Sequence, residues 1–146
     1  MTRVGVVLSG CGHLDGSEIH EAVLSLYFLD RAGAQVRCFA PDVLQRDVVD
    51  HRAGKPASET RNVLREAARI ARGKIEPLSR AEAQDLDALF LPGGFGAAKN
   101  LSDFALRGAD ATPLEELARL VRAMHAAHKP IGAVCIAPAV IAACFR

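Results

Sequence analysis

The chain has 146 residues, of which half are hydrophobic and 24% charged, with a formal net charge of +1 at pH 7. This length and composition predict one globular domain with a hydrophobic core, and the weak net charge does not indicate nucleic acid or an anionic membrane as a partner. No apolar stretch is long enough to span a bilayer, and the first residues lack the apolar region and cleavage site of a signal peptide.

The first forty residues predict a β–α–β unit. Residues 3–8 are an apolar run of strand length, and residues 35–40 form a second one that a proline ends. Between them, apolar residues at helical spacing predict a helix over 17–32. Asp15 and Glu18 have the spacing of a capping box at its start.

The middle of the chain predicts three further elements. A short strand is expected near 48–49, and a helix over 60–72. Residues 79–82 (SRAE) have the pattern of a second capping box and predict a short helix. Residues 87–91 then form a third core strand, which runs directly into a glycine-rich turn.

The last third of the chain predicts a loop over 99–110, then a helix and a strand. Thr112 at the N-cap and Pro113 at the first helical position indicate a helix over 112–128, and a short apolar strand then leads to Cys135. Strands that alternate with helices predict an α/β fold with a mostly parallel sheet. We find no repeat and no linker, so residues 1–146 are expected to form a single domain.

Cys135 is the strongest candidate for a reactive group. It lies between an apolar strand and a predicted helix start, with small residues around it, as in a nucleophile elbow. Helix-start N–H groups favour a thiolate. The alternative is a buried structural thiol, which is how we interpret Cys144. The four cysteines show no CxxC spacing, which predicts reduced thiols in a cytoplasmic protein without a disulfide or metal site.

Two other loops are expected at the same edge of the sheet as Cys135, because ligands bind beyond the carboxyl ends of parallel strands. Gly93 and Gly94 follow the third core strand, and their N–H groups are candidates for an oxyanion hole. Glu18 and Glu21 begin the first helix, where one is expected to face the thiol as a proton shuttle while the other caps the helix. We interpret His20 as a surface or partly buried histidine rather than a site residue.

Several motifs together resemble one known family. They are residues 9–12 (SGCG), 15–22 (DGSEIHEA), 38–42 (CFAPD), 59–62 (ETRN), 91–100 (LPGGFGAAKN) and 135–138 (CIAP). The chain resembles the ElbB family of isoprenoid-biosynthesis-associated glyoxalases, also called sigma cross-reacting proteins. This family belongs to the PfpI-like branch of the class I glutamine amidotransferase-like superfamily.

The resemblance implies a flavodoxin-like three-layer α/β sandwich, a cytoplasmic homodimer, and cofactor-free, glutathione-independent conversion of glyoxal to glycolate. It implies that Cys135 is the nucleophile, that Gly93 and Gly94 with Ile136 form the oxyanion and substrate-binding loops, and that Glu21 contacts the thiol, with Glu18 in reserve. Deglycase-type repair of glycated groups and a non-enzymatic role in redox sensing or partner binding are the alternatives.

The chain departs from the resemblance at two points. Ile136 stands where amidase-like members often carry histidine, which argues against peptidase or amidotransferase chemistry. Members of the family also continue well past the position of Arg146, so the resemblance implies a domain that is truncated after the nucleophile elbow and C-terminally incomplete. From this we expect the isolated chain to aggregate readily and to be weakly active at most.

Overall fold

The computed structural model describes residues 1–146. It contains seven strands: β1 (Arg3–Val7), β2 (Gln35–Ala40), β3 (Val49–Asp50), β4 (Lys55–Pro56), β5 (Ile75–Pro77), β6 (Ala88–Leu91) and β7 (Ile131–Ala133). It contains six α-helices: α1 (Ile19–Arg31), α2 (Val63–Ile70), α3 (Phe95–Asn100), α4 (Phe104–Arg107), α5 (Glu115–Ala126) and α6 (Ala137–Ala143). None of these helices is long and apolar enough to cross a membrane.

Five parallel strands form the central sheet in the order β5-β2-β1-β6-β7, and β3 pairs with β4 in a separate antiparallel hairpin. The first strand is central, and Val6 is in register with Cys38 on one side and with Phe90 on the other. The chain builds outward from β1 through β2 to β5 and then returns to the other side of β1 at β6. The carboxyl ends of β1 and β6 therefore border the switch point where α/β sheets bind ligands.

Helices cover both faces of this sheet. On one face α1 and α2 enclose a cluster of eight buried hydrophobic residues that includes Val6 and Ala22. On the other face a larger cluster of 17 buried residues includes Leu91 from β6, Leu117 from α5 and Val140 from α6. The flavodoxin-like α/β sandwich with a mostly parallel sheet is thus confirmed.

The start of α1 differs from the predicted capping box. Glu18 is the N-cap, and its carboxylate accepts a hydrogen bond from the N–H of Glu21 at 2.7 Å. Asp15 instead accepts from the N–H of Val49 at 2.8 Å, and so ties the first loop to the β3–β4 hairpin. The helix begins later than predicted because Glu18 fulfils the capping role alone.

Three other predicted elements have different bounds. Helix α2 begins after the N-cap Asn62, which accepts from Arg65 N at 3.0 Å. Residues 79–82 form no capping box but lie among two 3-10 turns. Helix α5 begins after the extended N-cap Leu114, because Thr112 donates its N–H to Asp103 and Pro113 pairs with Ser102.

Two elements near the sheet were missed. Strand β5 is short and lies at an edge of the sheet beside β2. Helix α3 follows Gly94 directly, where a loop was predicted from residue 99. It is only six residues long, too short for helical periodicity to show in the sequence.

Candidate active site

Cys135 lies between β7 and α6, with Ile136 as the N-cap of α6. Its φ is +57°, in the left-handed region that non-glycine residues seldom occupy, and its side chain is exposed. A conformation of this kind costs on the order of 1–3 kcal/mol and is concentrated at functional sites. The backbone thus presents the thiol to solvent at a helix start, which is not the position of a buried structural thiol.

Gly93 separates Cys135 from the carboxylate of Glu21. A Cβ atom built on Gly93 would lie 2.5 Å from the Cβ of Cys135, 2.7 Å from Oε2 of Glu21 and 3.1 Å from the Sγ of Cys135. Only glycine allows this approach. Oε2 of Glu21 also accepts a hydrogen bond from the N–H of Gly93 at 2.7 Å. The carboxylate of Glu21 and the side chain of Cys135 therefore lie close together on either side of Gly93.

Glu18 approaches the same glycine from its other end. The N–H of Glu18 donates to the carbonyl of Gly93 at 3.0 Å. Its carboxylate accepts from Glu21 N and lies 2.9 Å from Nδ1 of His20. Partial burial raises the pKa of Glu18, but the hydrogen bonds from Glu21 and His20 outweigh it and hold the pKa below its usual value. Glu18 is thus both the cap of α1 and a charged group of the site.

The three residues predicted to form the oxyanion hole are not equivalent. The N–H of Gly93 already donates a hydrogen bond to Oε2 of Glu21. The N–H groups of Gly94 and Ile136 have no acceptor within the protein. Gly94 has a φ of +96° and Ile136 is at the start of α6, so these two N–H groups are the ones free to stabilise a developing oxyanion.

A cavity of about 490 Å³ opens above the thiol. It is lined by residues of three loops: His13, Glu18, Gly94, Phe95, Cys135 and Ile136. A two-carbon or three-carbon substrate fits easily into this volume. No group of three His, Cys, Asp or Glu side chains is arranged to bind a metal ion.

Asn100 holds the first loop in place beneath this cavity, a role that no sequence signal indicated. Its side-chain amide donates to the carbonyls of Ser9 at 2.9 Å and Asp15 at 3.0 Å, and its Oδ1 accepts from the N–H of Arg46 at 3.0 Å. Lys99, beside it, donates to the carbonyl of Leu14 at 2.9 Å. Two consecutive side chains of α3 thus fix the loop that carries His13.

The other cysteines are unsuited to nucleophilic chemistry. Burial raises the pKa of Cys38 and of Cys144 to about 11, although Arg122 lowers that of Cys144 slightly. Burial also raises the pKa of Cys11. At neutral pH these thiols are therefore protonated, whereas Cys135 is the cysteine with an exposed side chain.

A second, apolar groove lies on the far side of Glu21. Its volume is about 470 Å³, and it is lined by Glu21, Leu24, Ser25, Phe28, Leu29, Phe90 and Val134. Leu24 is 53% exposed and Phe28 is 60% exposed. The helix that supplies Glu21 to the site therefore presents a hydrophobic surface to solvent.

No family model matches the chain. It is 54% identical over 145 residues to the human glutamine amidotransferase-like class 1 domain-containing protein 3, mitochondrial, covering 99% of this chain and 54% of that protein. It is 55% identical over 141 residues to the rat ES1 protein homolog, mitochondrial, covering 96% of this chain and 53% of that protein. The chain thus spans about half the length of the curated relatives it matches.

A solved structure agrees closely with the fold. The isoprenoid biosynthesis protein with an amidotransferase-like domain from Ehrlichia chaffeensis is 45% identical, with a TM-score of 0.93, covering 99% of this chain and 66% of that one. Toxoplasma gondii DJ-1 shares the fold at 24% identity, with a TM-score of 0.55, covering 96% of this chain and 59% of that one.

These matches correct one expectation and support another. The predicted cytoplasmic location is wrong, because the human and rat relatives, and an ES1 protein of zebrafish, are named as mitochondrial proteins. The resemblance to class I glutamine amidotransferase-like proteins is supported by the names of the human relative and the Ehrlichia protein. The chain is a homologue of the human glutamine amidotransferase-like class 1 domain-containing protein 3, and its α/β sandwich has the fold of DJ-1.

Proposed function

We propose that the protein is a cofactor-free, glutathione-independent glyoxalase that converts glyoxal to glycolate and serves isoprenoid metabolism. The observation that carries the proposal is the contact of Glu21, Gly93 and Cys135, in which a carboxylate and an exposed thiol meet across a glycine. The link to isoprenoids rests on the name of the Ehrlichia relative.

The first step is addition of the Cys135 thiolate to one aldehyde carbon of glyoxal, which forms a C–S bond and a hemithioacetal. Glu21 then removes the proton from this carbon and returns it to the second carbon, while the hydroxyl proton of the first carbon passes to the oxygen of the second, which becomes a CH₂OH group. The first carbon is oxidised to a thioester while the second is reduced, so no external oxidant is needed. The N–H groups of Gly94 and Ile136 stabilise the negative oxygen that develops between these states.

Hydrolysis completes the cycle. Water attacks the thioester carbon, the C–S bond breaks with its electron pair returning to sulfur, and glycolate leaves. The sum is glyoxal plus water to glycolate, with the thiol regenerated. The cavity beside Cys135 is large enough for the substrate and a water molecule.

The test is glycolate formation, followed by NMR, from glyoxal in the absence of glutathione. Wild type should produce glycolate, and Cys135→Ser should not, with an unchanged circular dichroism spectrum. Cys144→Ser is the matched control, because that thiol is buried away from the cavity. Activity that persists in Cys135→Ser would refute the proposal.

A thiol-based redox sensor is the second candidate, and the exposure of Cys135 favours it. In that case peroxide would oxidise Cys135 selectively, as measured by mass spectrometry, and glyoxal would not be consumed. Repair of glycated groups would use the same residues as the glyoxalase. Repair is distinguished from glyoxalase activity by supplying preformed glycation adducts after free glyoxal has been scavenged.

A further inference from the structure

Two glutamates reach the site from one helix, but they lie at different ends of Gly93. Glu21 accepts a hydrogen bond from the N–H of Gly93 and lies beside the thiol. It also lines the apolar groove. The backbone of Glu18 binds the carbonyl of Gly93, and Glu18 lines the cavity together with Cys135, Gly94 and Ile136. The two glutamates therefore bind Gly93 at different backbone atoms, and Glu18 is the one that lines the cavity above the thiol.

The proposed reaction requires two proton transfers of different kinds. Movement of a proton between two carbons needs a base that touches the substrate and is protected from water. Hydrolysis of the thioester needs a base on the side from which water enters. Glu18 meets the second requirement, because its side chain is 24% exposed and lines the open cavity.

His20 positions the carboxylate of Glu18 from the solvent side. Nδ1 of His20 lies 2.9 Å from Oε1 of Glu18, and the His20 side chain is 88% exposed. The other oxygen of Glu18 is fixed by the N–H of Glu21 at 2.7 Å. The carboxylate is therefore held in one orientation by two donors, one on each oxygen.

We propose that Glu18, positioned by His20, activates the water that hydrolyses the Cys135 thioester, whereas Glu21 carries out only the preceding proton transfer between carbons. This inference rests on the proposed glyoxalase function. The proton of the attacking water passes to Glu18 and from there to solvent, while Nδ1–H of His20 continues to donate to the carboxylate. The new C–O bond replaces the C–S bond, and sulfur leaves as the thiolate. Glu18 is in this scheme a catalytic residue, and His20 a positioning residue.

The test is the identity of the species that accumulates on Cys135 after rapid mixing with glyoxal, read by intact mass spectrometry and by hydroxylamine sensitivity. Glu18→Gln keeps an oxygen that caps α1, so it should fold normally. It should accumulate the glycolyl thioester while glycolate formation falls by about a hundredfold or more. Glu21→Gln should block the earlier step and accumulate no thioester.

The role of His20 is tested by chemical rescue of a His20 variant with imidazole. His20→Ala should lower the rate of thioester hydrolysis by about tenfold, and added imidazole should restore it, because the position is open to solvent. A purely structural role would show no rescue. Glu115→Gln, at the first turn of α5, is the matched control and should behave as wild type.

The outcomes separate the two proposals. If wild type consumes no glyoxal, the proposed function itself fails. If wild type is active but Glu18→Gln turns over normally, or slows without accumulating thioester, the division of roles between the two glutamates is wrong. Thioester accumulation in Glu21→Gln instead of Glu18→Gln would reverse the assignment and overturn the inference.

Discussion

Oε2 of Glu21 accepts the backbone N–H of Gly93 at 2.7 Å, a contact that joins the first helix to the end of β6. The glycine is therefore held against the carboxylate on one side and the Cys135 side chain on the other. Because Glu18 donates its N–H to the Gly93 carbonyl, the backbone of one residue binds both glutamates. The site depends on this glycine as much as on its charged groups.

Substitution of Gly93 should therefore disrupt the site. In Gly93→Ala the new methyl group would lie 2.5 Å from the Cβ of Cys135, so the backbone must move. We expect glycolate formation to fall at least a hundredfold, with a loss of stability of about 1–3 kcal/mol. Denaturant unfolding and NMR measure the two effects.

Gly54→Ala is the control for that experiment. Its φ is +65°, but a Cβ there would meet no atom within 4 Å, so only backbone strain is added. It should lose about 1 kcal/mol and keep its activity. Equal loss of activity in both variants would contradict the role assigned to Gly93.

Alkylation should distinguish the cysteines. At pH 8 about one thousandth of a thiol with a pKa near 11 is thiolate, which applies to Cys38 and Cys144. Cys135 is exposed and should react with iodoacetamide first. Peptide mass spectrometry over time should show a single early label on Cys135, and its absence in Cys135→Ser. Early labelling of Cys144 would show that α6 is not packed as described.

Acid should weaken the fold partly through Asp87. Hydrogen bonds from the Arg3 side chain and N–H lower the pKa of Asp87 from 3.8 to about 2. A depressed folded-state pKa stabilises the fold above pH 3.8, and this contribution is lost as the pH falls towards 2. The urea midpoint of Asp87→Asn should thus change less than that of wild type between pH 5 and pH 2.5. Asp30→Asn, which removes a carboxylate without an ion pair, should follow wild type.

The apolar face of α1 should control self-association. Leu24 and Phe28 are more than half exposed, and large exposed apolar patches promote association. The double variant Leu24→Ser and Phe28→Ser should show less scattering and a smaller sedimentation coefficient than wild type at the same concentration. Leu106→Ser is the control, because Leu106 is 67% exposed but lies on α4, away from this face. A monomeric, non-aggregating wild type would contradict the prediction.

The sequence predicted the sheet well because its core strands are continuous apolar runs. Strands β1, β2 and β6 were found within one residue, and the three site loops follow the carboxyl ends of β1, β6 and β7. Cys135, Glu21 and Gly94 followed from this placement and from the family resemblance. Strand β5 was missed because its three residues have no strand pattern of their own, and only the pairing with β2 makes them a strand.

Other features depend on contacts that no local pattern encodes. The Gly93 N–H was expected to be free for an oxyanion, but it binds Glu21, a residue 72 positions away. Asp15 matched a helix cap by spacing, but it binds the β3–β4 hairpin. His20 was set aside as a surface residue, and it is highly exposed, but its ring contacts Glu18. For Gly93 and Asp15 the partner is set by tertiary structure, whereas the contact of His20 is with a residue only two positions away.

The amide of Asn100 donates two hydrogen bonds and accepts one, and it is 7% exposed. An aspartate of the same shape at this position would present only acceptors to the carbonyls of Ser9 and Asp15. Deamidation converts asparagine to aspartate, and at this position it would place a carboxylate oxygen next to the carbonyl oxygens of the first loop. How long the protein keeps its folded site therefore depends on how slowly the amide of Asn100 hydrolyses, although Asn100 does not line the cavity.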